Sequence, residues 1–395
     1  MGRFEGRFHG RFNSRFQGRF APGGLGAARD ITPPDLALFS KYNVPGFLHN
    51  FARTDRTWQE SAATTLADDP TEAVAFAAEE SQWNGLTFAQ IKAMQTNLVS
   101  GAWTLNTPSG SATVSESPAG TLNLTGDGTN TAQADKSVTT ETGAWYAIEP
   151  DVATNDAIVR AGTTQGGTNL LTSRTAPVGS PQFVFQASGT TSWIRFNRTA
   201  AGLSVVSNVR VRKIPGNHAI QSASTSFRPV RQAGGLIRFD GSDDNLLTTL
   251  NPAVAMTLAV RMKPTSAGPI ALGARQVANG RGYISTDGST GKLGGGVGAQ
   301  NTTTITGGSD IRNTTGVAVL TWDGSTVNLY WNGVQLYTGA QSGTPDTAIP
   351  IRLGAFNDNG VASSFFAGDI YQALAIQAAI TPGEVAALSA YWSTL

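Results

Sequence analysis

The chain has 395 residues, of which 14% are charged and 46 are glycine, and its formal net charge is +1. Because it contains no cysteine and only three scattered histidines, disulfides, thiolate metal sites and histidine-based metal clusters are excluded. A charged fraction far below the usual ~25% suits an extracellular or virion β-protein better than a cytosolic enzyme.

The first 20 residues form a four-residue repeat, MGRF-EGRF-HGRF-NSRF-QGRF, with five arginines and one glutamate. In an extended chain this period places the phenylalanines on one edge and the arginines on the other. We expect an arm that becomes ordered on a partner; a disordered tail and a nucleic-acid contact are the alternatives. The residues predicted to anchor the arm are Arg3, Phe4, Arg7, Phe8, Arg11, Phe12, Arg15, Phe16, Arg19 and Phe20.

Residues 1–34 are assigned to the arm and a flexible linker, and residues 35–98 to a connecting segment. The predicted elements of this segment are a helix over Asp35–Tyr42, a strand over Phe47–Phe51 and a helix over Asn84–Leu98. In the second helix Thr87 and Gln90 have the spacing of a capping box. The residues predicted to face inward from it are Ile91, Met94 and Leu98.

Residues 99–214 are predicted to form a β module, because short strand-like runs alternate with links rich in Gly, Thr, Ser and Asn. Six or more short strands over this length indicate a sandwich or jelly roll. The predicted strands are Thr121–Leu124, Ala144–Val152, Ala157–Ala161, Gln182–Ala187, Trp193–Asn197 and Leu203–Lys213.

Residues 216–395 form the third predicted unit, and its clearest part is the three-stranded meander GVAVLTWDGSTVNLYWNGVQLYTG. Asp323-Gly324 and Asn332-Gly333 are dipeptides typical of two-residue hairpin turns. A final helix is expected after Thr381, which begins a capping box followed by proline. Its predicted inward residues are Val385, Leu388 and Trp392. The other predicted strands are Leu236–Asp240, Met256–Lys263, Ile270–Gly273, Gly282–Ser285, Lys292–Val297, Thr302–Thr306, Ile351–Gly354 and Phe365–Ile376.

Aromatic side chains are the first group of candidate ligand contacts. Sugar-binding modules stack pyranose rings on exposed aromatic residues, and core packing is the alternative for each such residue. Trp193 and Arg195 alternate with Ile194 and Phe196, so that one of the two pairs faces solvent. The candidates for glycan binding are Trp103, Trp145, Tyr146, Trp193 and Tyr330.

Three carboxylates in the loop FDGSDDN are the second group. Asp240, Asp243 and Asp244 offer the hard oxygen ligands that suit Ca²⁺, although Asp and Gly are also typical turn residues. No other cofactor is expected. The sequence contains no recognisable nucleophile–base pair, phosphate-binding loop or paired catalytic carboxylates, so we predict that the protein is not an enzyme.

Several segments carry a family resemblance. LIRFDGSDDNLLTTL, TLAVRMKP, the meander, and IRLGAFNDNG with FAGDIYQALAI resemble the concanavalin A-like, laminin-G/pentraxin sandwich. TPGEVAALSAYW is similar to the closing helix of the versions in bacteriophage fibres and spikes. TWQESAATTLADDPTEAVAFAAEESQ looks like the segment that precedes the sandwich in those phage proteins, and LVSGAWTLNTPSGSATVS resembles their carbohydrate-binding-module-like jelly rolls.

The resemblance implies an all-β fold of two antiparallel β-sandwiches, a jelly roll and a concanavalin A-like sandwich, with an extended N-terminal arm and a few short helices. It further implies that the jelly roll of residues 99–214 is inserted into a sandwich built from about residues 45–82 together with 216–395.

For function, the resemblance implies a structural virion protein of a tailed phage or phage-like particle, either a head fibre or spike or a tail-fibre component. Its arm would be anchored on capsid, portal, tail or baseplate proteins, and its sandwiches displayed toward host glycans, with a homo-oligomer expected in the virion. The alternative is a secreted or cell-surface carbohydrate-binding protein without catalysis. Neither a nucleic-acid partner nor a membrane span is expected, since no run approaches ~20 apolar residues.

Overall fold

The computed structural model describes residues 33–395, except residues 68, 82–86, 107, 222–223, 277–279, 299–304 and 342. The described chain consists mostly of antiparallel strands arranged in four sheets. This confirms the predicted all-β class with antiparallel β-sandwiches. The repeat of residues 1–20 and its ten anchoring residues lie outside the described part.

The described part of the chain contains three α-helices and 29 strands. In the connecting segment these are α1 Pro34–Tyr42, β1 Gly46–Asn50, β2 Thr57–Trp58, β3 Phe76–Ala77 and α2 Phe88–Ala93. Up to residue 214 they are β4 Thr104–Asn106, β5 Thr113–Glu116, β6 Leu122–Gly126, β7 Ala132–Thr139, β8 Trp145–Ala153, β9 Ala157–Gly162, β10 Leu171–Ala176, β11 Phe183–Gln186, β12 Thr191–Arg198 and β13 Gly202–Ile214. Beyond it they are β14 Ala219–Ile220, β15 Val230–Gln232, β16 Leu236–Asp240, β17 Leu246–Leu247, β18 Met256–Pro264, β19 Ile270–Gln276, β20 Gly280–Thr286, β21 Lys292–Gly298, β22 Ile305–Asp310, β23 Gly316–Trp322, β24 Thr326–Trp331, β25 Val334–Ala340, β26 Arg352–Leu353, β27 Phe356–Asp358, β28 Val361–Ser363, β29 Ala367–Ile376 and α3 Pro382–Trp392.

Two large sheets form what we call the first sandwich. One has eight strands in the order β15-β16-β29-β18-β23-β24-β25, with β1 also paired to β29, and the other has eleven strands centred on β26-β19-β20-β21. β1 pairs with β29 over Gly46–Asn50, and β3 pairs with β14. Both sheets therefore contain strands from before and after the residues that form the remaining two sheets.

The predicted meander forms β23, β24 and β25 of the eight-stranded sheet. Asn332 and Gly333 both have positive φ angles and form the predicted two-residue turn between the paired Trp331 and Val334. The other turn is longer than predicted: Trp322 pairs with Val327, so four residues lie between the paired positions, and of the dipeptide Asp323-Gly324 the glycine alone has a positive φ angle. Val327 and Leu329 face the interior of the sandwich, but Tyr330 on the opposite face is only 3% exposed. Both faces of this sheet are therefore buried here, because helices cover its outer side.

Helices α1 and α3 form the layer that covers the eight-stranded sheet. Leu36 from α1 and Leu388 from α3 pack against Val317, Tyr330 and other residues of the sheet. The predicted capping box at Thr381 is present in α3, and its three predicted inward residues are all buried. None of the described helices is long and apolar enough to cross a membrane.

The remaining two sheets, of five strands each, form what we call the middle sandwich. The front sheet has the order β10-β9-β12-β7-β4, and the back sheet has the order β11-β8-β13-β6-β5. Their inner faces share one apolar core that includes Ile148, Val159, Phe183, Ile194 and Phe196. The strands β4, β5, β7 and β10 are additional to those that the sequence predicted.

The back sheet of the middle sandwich packs against the first sandwich. Trp145 of β8 points away from the core of its own sandwich and lies 5.3 Å, between ring centroids, from Phe76 of β3. Helix α2 contributes Phe88 and Ile91 to the same cluster. This helix has the predicted capping box, but it ends at residue 93, and Met94, predicted to face inward, is 70% exposed.

Gly216 lies where the chain returns from the middle sandwich to the first. Its φ angle is 128°, and a Cβ atom there would come within 1.8 Å of a carboxylate oxygen of Glu79. Glu79 is fully buried, and its other oxygen accepts hydrogen bonds from the amide and hydroxyl of Ser81. Only glycine fits at this junction, because a side chain would displace a buried carboxyl group.

Candidate functional site

The outer face of the front sheet is the candidate site. None of the hydrophobic clusters in the described chain includes a residue of this face. In β12, Ile194 and Phe196 point into the core, so Trp193 and Arg195 point outward, as strand alternation requires. Trp193 is partly exposed and lies between Ser137 and Gly162 of the neighbouring strands.

Asp135 on β7 is the centre of a hydrogen-bond network on this face. Arg195 donates to its two carboxylate oxygens from Nε at 2.5 Å and Nη2 at 2.6 Å. Asn106 donates at 2.6 Å and Gln165 at 3.0 Å. Burial alone would raise the pKa of Asp135, but these hydrogen bonds and the charge of Arg195 outweigh burial and lower it. Asp135 is therefore a fixed carboxylate that orients its neighbours.

The loop between β9 and β10 folds over the guanidinium of Arg195. Gln165 from this loop reaches Asp135, and Gly166 lies directly beside Arg195. Gly166 has a φ angle of 75°, and a Cβ atom there would be 2.7 Å from the central guanidinium carbon. The backbone therefore approaches the site closely because residue 166 has no side chain.

Arg160 on β9 is the second arginine of the face, and Asp135 compensates its charge only in part, because that carboxylate is bonded to Arg195. It pairs across the sheet with Arg195, and within the described residues it forms no ion pair. Its Nε atom is buried without a hydrogen-bond partner. Burial, followed by the charge of Arg195, lowers the pKa of Arg160, but an arginine remains protonated at neutral pH. The face thus offers a guanidinium that a ligand can engage.

This arrangement is suited to binding. A partly exposed indole ring offers an apolar plane, while Arg160, Gln133 and Asn106 offer hydrogen-bonding groups whose positions the sheet fixes. Asp135 is fully buried and already accepts four hydrogen bonds, so it is poorly placed to transfer a proton.

The other four aromatic candidates lie in apolar cores, which corrects their assignment as glycan contacts in favour of core packing, the alternative left open for each. Trp103 packs edge-on against Phe196, and Tyr146 stacks on Phe185, both inside the middle sandwich. Trp145 joins the two sandwiches, and Tyr330 lies beneath the helices of the first. They are between 2% and 6% exposed, so they offer no open face to a sugar ring.

Arg160, Asp135, Asn106, Gln133 and Gln165 were not predicted as site residues. Two of them lie on β7, where Ala132 and Ala134 are small and Lys136 interrupts the inward positions before Val138, so that the strand shows no clear apolar alternation. That strand was therefore not recognised, and its outward residues could not be aligned with Arg195. Strand alternation is the signal that would have found Arg160. In β9, as in β12, the residues between the inward-facing ones point outward, and Arg160 is one of them.

The acidic loop brings its three carboxylates together, with one oxygen of each within 4.8 Å of the others. Their spacing and chemistry fit a hard cation such as Ca²⁺. The loop is also organised as a turn: Asp240 accepts hydrogen bonds from the amides of Ser242 and Asp243, and Asp244 accepts one from the amide of Asp240. Burial raises the pKa of Asp244 to about 7. Calcium binding stays a prediction.

Residues 240–386 match the family model described as the concanavalin A-like lectin/glucanases superfamily. This match supports a lectin-like sandwich in the C-terminal part of the chain. No curated protein matches the sequence.

Solved structures that resemble the chain include three bacterial examples. One is the CBM40 domain of the Ruminococcus gnavus IT-sialidase bound to α2,3-sialyllactose, with 17% identity over 35% of this chain and 84% of that one and a TM-score of 0.30. The Streptococcus pneumoniae NanB sialidase has 17% identity over 39% and 27%, with a TM-score of 0.31. The binding domain of Paraclostridial Mosquitocidal Protein 1 has 13% identity over 46% and 50%, with a TM-score of 0.36. At these TM-scores the structures add no argument about function.

Proposed function

We propose that the chain is a glycan-binding protein without catalytic activity, and that its ligand binds on the outer face of the front sheet. The observation that carries this proposal is the combination, on one face, of the partly exposed Trp193 with Arg160, whose Nε atom has no hydrogen-bond partner among the described residues. A sugar presents both an apolar ring face and a rim of hydroxyl groups, and this surface complements both. The family match to lectin-like sandwiches supports the same class of function.

The absence of catalysis is part of the proposal. Hydrolysis of a glycosidic bond usually requires two carboxyl groups on opposite sides of the bond. Within the described part of the front sheet's outer face, Asp135 is the one carboxylate on a strand, and its oxygens are already occupied. A ligand would therefore be held there and released unchanged.

A glycan array followed by a turnover assay tests this function. We expect the purified protein to retain a subset of glycans on the array and to release no reducing ends from the same glycans in solution. Saturable turnover that a single substitution abolishes would contradict the proposal, as would an array on which no glycan is retained.

We also propose where this binding is used: in a structural virion protein of a tailed phage or phage-like particle, such as a head fibre, spike or tail-fibre component. The support is the Gly-Arg-Phe repeat of residues 1–20, together with the resemblance of several segments to phage fibre proteins. Five tandem repeats could bind successive copies of a capsid, portal, tail or baseplate protein and gain affinity by avidity. A secreted or cell-surface carbohydrate-binding protein would use the front-sheet face equally well.

Measuring how much of the protein is incorporated into phage particles distinguishes the virion protein from the secreted or cell-surface protein. We expect Phe8→Ala with Phe12→Ala to release the protein from the particle while the sandwiches remain folded. The matched control, Glu5→Ala with His9→Ala, changes variable positions of the same repeat and should leave incorporation intact. Unchanged incorporation after deletion of residues 1–20 would contradict anchoring by the arm, and binding that follows nucleic acid and falls steeply with salt would make the arm a genome contact.

A further inference from the structure

A cleft of about 590 Å³ lies at the end of the front sheet, beside the proposed glycan-binding face. It shares with that face Asn197 of β12 and Ile158 of β9, which are paired across the two strands. The loop after β8, Val178 and the turn after β12 form its other walls. The cleft is therefore a continuation of the face rather than a separate surface.

Asn197 is the unusual residue of this cleft. Its side chain is only 9% exposed, and its Oδ1 atom is buried with no hydrogen-bond partner in the part of the chain that the structure describes. Buried amide oxygens in folded proteins nearly always accept a hydrogen bond, because leaving one unpaired is costly. A ligand hydroxyl group in the cleft would supply the missing donor.

The charged groups around the cleft are already occupied. The guanidinium of Arg198 donates to the carbonyl oxygens of Asp156, Ala201 and Gly202 at 2.5, 3.0 and 2.8 Å. The carboxylate of Asp156 accepts a hydrogen bond from the amide of Val178 at 3.2 Å. These hydrogen bonds go to uncharged groups, so both charges remain, but one is positive and the other is negative. The lining therefore has no net charge and favours a neutral ligand.

Part of the remaining surface of the cleft is apolar, beside the polar side chains of Thr154, Asn155 and Thr199. Ile158 is partly exposed on the outer face of β9, and Val178 is 56% exposed opposite it. An apolar wall next to an unpaired acceptor is complementary to a molecule with one hydrocarbon face and several hydroxyl groups. A neutral sugar ring has this chemistry.

We propose that the cleft binds a second, neutral sugar unit of the same glycan whose first unit contacts Trp193; this inference rests on the glycan-binding function proposed above. Trp193 and Asn197 lie four residues apart on β12, which separates them by about 13 Å and places them on the same face of the sheet. One sugar ring does not span that distance. The preferred ligand is therefore an oligosaccharide, and the protein reads several linked units of it.

Two affinities test this inference. One is measured for the tetrasaccharide that binds best on a glycan array, and the other for a disaccharide fragment of it that still binds. In the wild-type protein we expect the tetrasaccharide to bind at least tenfold more tightly. Asn197→Ala should remove this gain, so that the two sugars bind with similar affinity. Val178→Lys should also remove this gain, because the lysine side chain would fill the cleft. Position 178 is exposed, so the substitution should not impair folding.

The outcomes separate the two proposals. If Trp193→Ala abolishes binding of both sugars while Asn197→Ala and Val178→Lys keep the full gain with length, the face binds glycans and the cleft does not. If the wild-type protein binds the two sugars equally well, the cleft again plays no part. If no glycan is bound at all, the function proposed for the face fails, and the inference about the cleft fails with it.

Discussion

Asp135 sets the geometry of the front-sheet face at the scale of single residues. Its carboxylate is fully buried, and it receives donors from β4, β12 and the loop after β9. A buried ion pair contributes little net stability when intact, but removing one partner leaves the other charge buried and unpaired. The carboxylate is therefore needed to hold Arg195 beneath the loop.

We predict that Asp135→Asn lowers the free energy of unfolding by about 3 kcal/mol and weakens glycan binding, since Arg195 loses its partner. Denaturant unfolding and the array measure the two effects. The matched control is Asp310→Asn, which breaks an exposed pair with Arg312 and should change little. Equal stability of Asp135→Asn and the wild-type protein would show that the carboxylate does not hold the network.

At this scale the sequence predicted the alternation of Trp193 and Arg195 against Ile194 and Phe196, because large apolar residues mark the inward face. It did not predict the partners of Arg195, which come from strands that are distant in the chain. It also could not decide which tryptophans are exposed. Burial of Trp103 and Trp145 depends on how the sheets pack, and strand periodicity alone does not contain that information.

At the scale of elements, Glu384 fastens the two helices that cover the first sandwich. Its carboxylate completes the capping box of α3 and also accepts hydrogen bonds from Lys41 and Tyr42 of α1, at 2.6 and 2.8 Å. Burial would raise the pKa of Glu384, but the hydrogen bonds from Lys41, Thr381 and Tyr42 prevail and lower it to about 2. The charged form is thus the one that the fold favours.

We predict that Glu384→Gln lowers the free energy of unfolding at pH 7 by about 1 kcal/mol, because glutamine can keep the capping box but loses the negative charge that pairs with Lys41 and favours the N-terminus of α3. Because the folded-state pKa lies below the ordinary value of 4.5, this stabilisation is complete above pH 4.5 and is lost as the pH falls toward 2. Unfolding of both proteins at pH 7 and pH 3 checks it. Glu141→Gln, which breaks the exposed pair with Lys213, is the matched control, and a Glu384→Gln effect equal to that of this control would contradict the prediction.

Elements with local signals could be predicted from the sequence. Both capping boxes and the Asn332-Gly333 turn were found because Thr, Pro, Asn and Gly act over a few residues. Strands such as β2, β3 and β14 are two residues long, and distant pairing defines them. Strand propensity does not identify such short strands, so the sequence did not predict which strands the connecting segment contacts.

At the scale of the whole molecule, buried titratable groups lie near the place where the sandwiches meet. His49 lies between Phe47, to which its ring is tilted, and Phe51, on which it stacks. The Nδ1 atom of His218 accepts a hydrogen bond from the amide of Glu79. Burial lowers the pKa of both histidines to about 3, and it raises the pKa of Glu79 to about 7. All three side chains are therefore favoured in their neutral forms.

These pKa values predict how the stability of the fold changes as the pH falls. The unfolded chain protonates its histidines near pH 6.5 while the folded chain does not, so stability falls as the pH drops from 6.5 toward 3. Glu79 acts oppositely, because its stabilisation is present below pH 4.5 and is lost as the pH rises toward 7. The two effects oppose each other between pH 4.5 and 6.5, and the loss should steepen below pH 4.5.

We expect His49→Phe to reduce this loss, because phenylalanine has a similar shape and takes up no proton. Denaturant midpoints at pH 7.5 and pH 4 measure it, and the pH 7.5 value controls for changes in packing. The same drop in stability between the two pH values in variant and wild type would contradict the role of His49.

Glycan binding by Trp193→Ala, compared with the wild-type protein on the same array, tests the central claim most directly. The matched control is Trp331→Ala, which removes another partly exposed indole from the first sandwich. We predict that Trp193→Ala loses every glycan that the wild-type protein retains, while Trp331→Ala keeps them and both variants remain folded by circular dichroism. Retention of the same glycans by Trp193→Ala would contradict the claim that the outer face of the front sheet is the binding site.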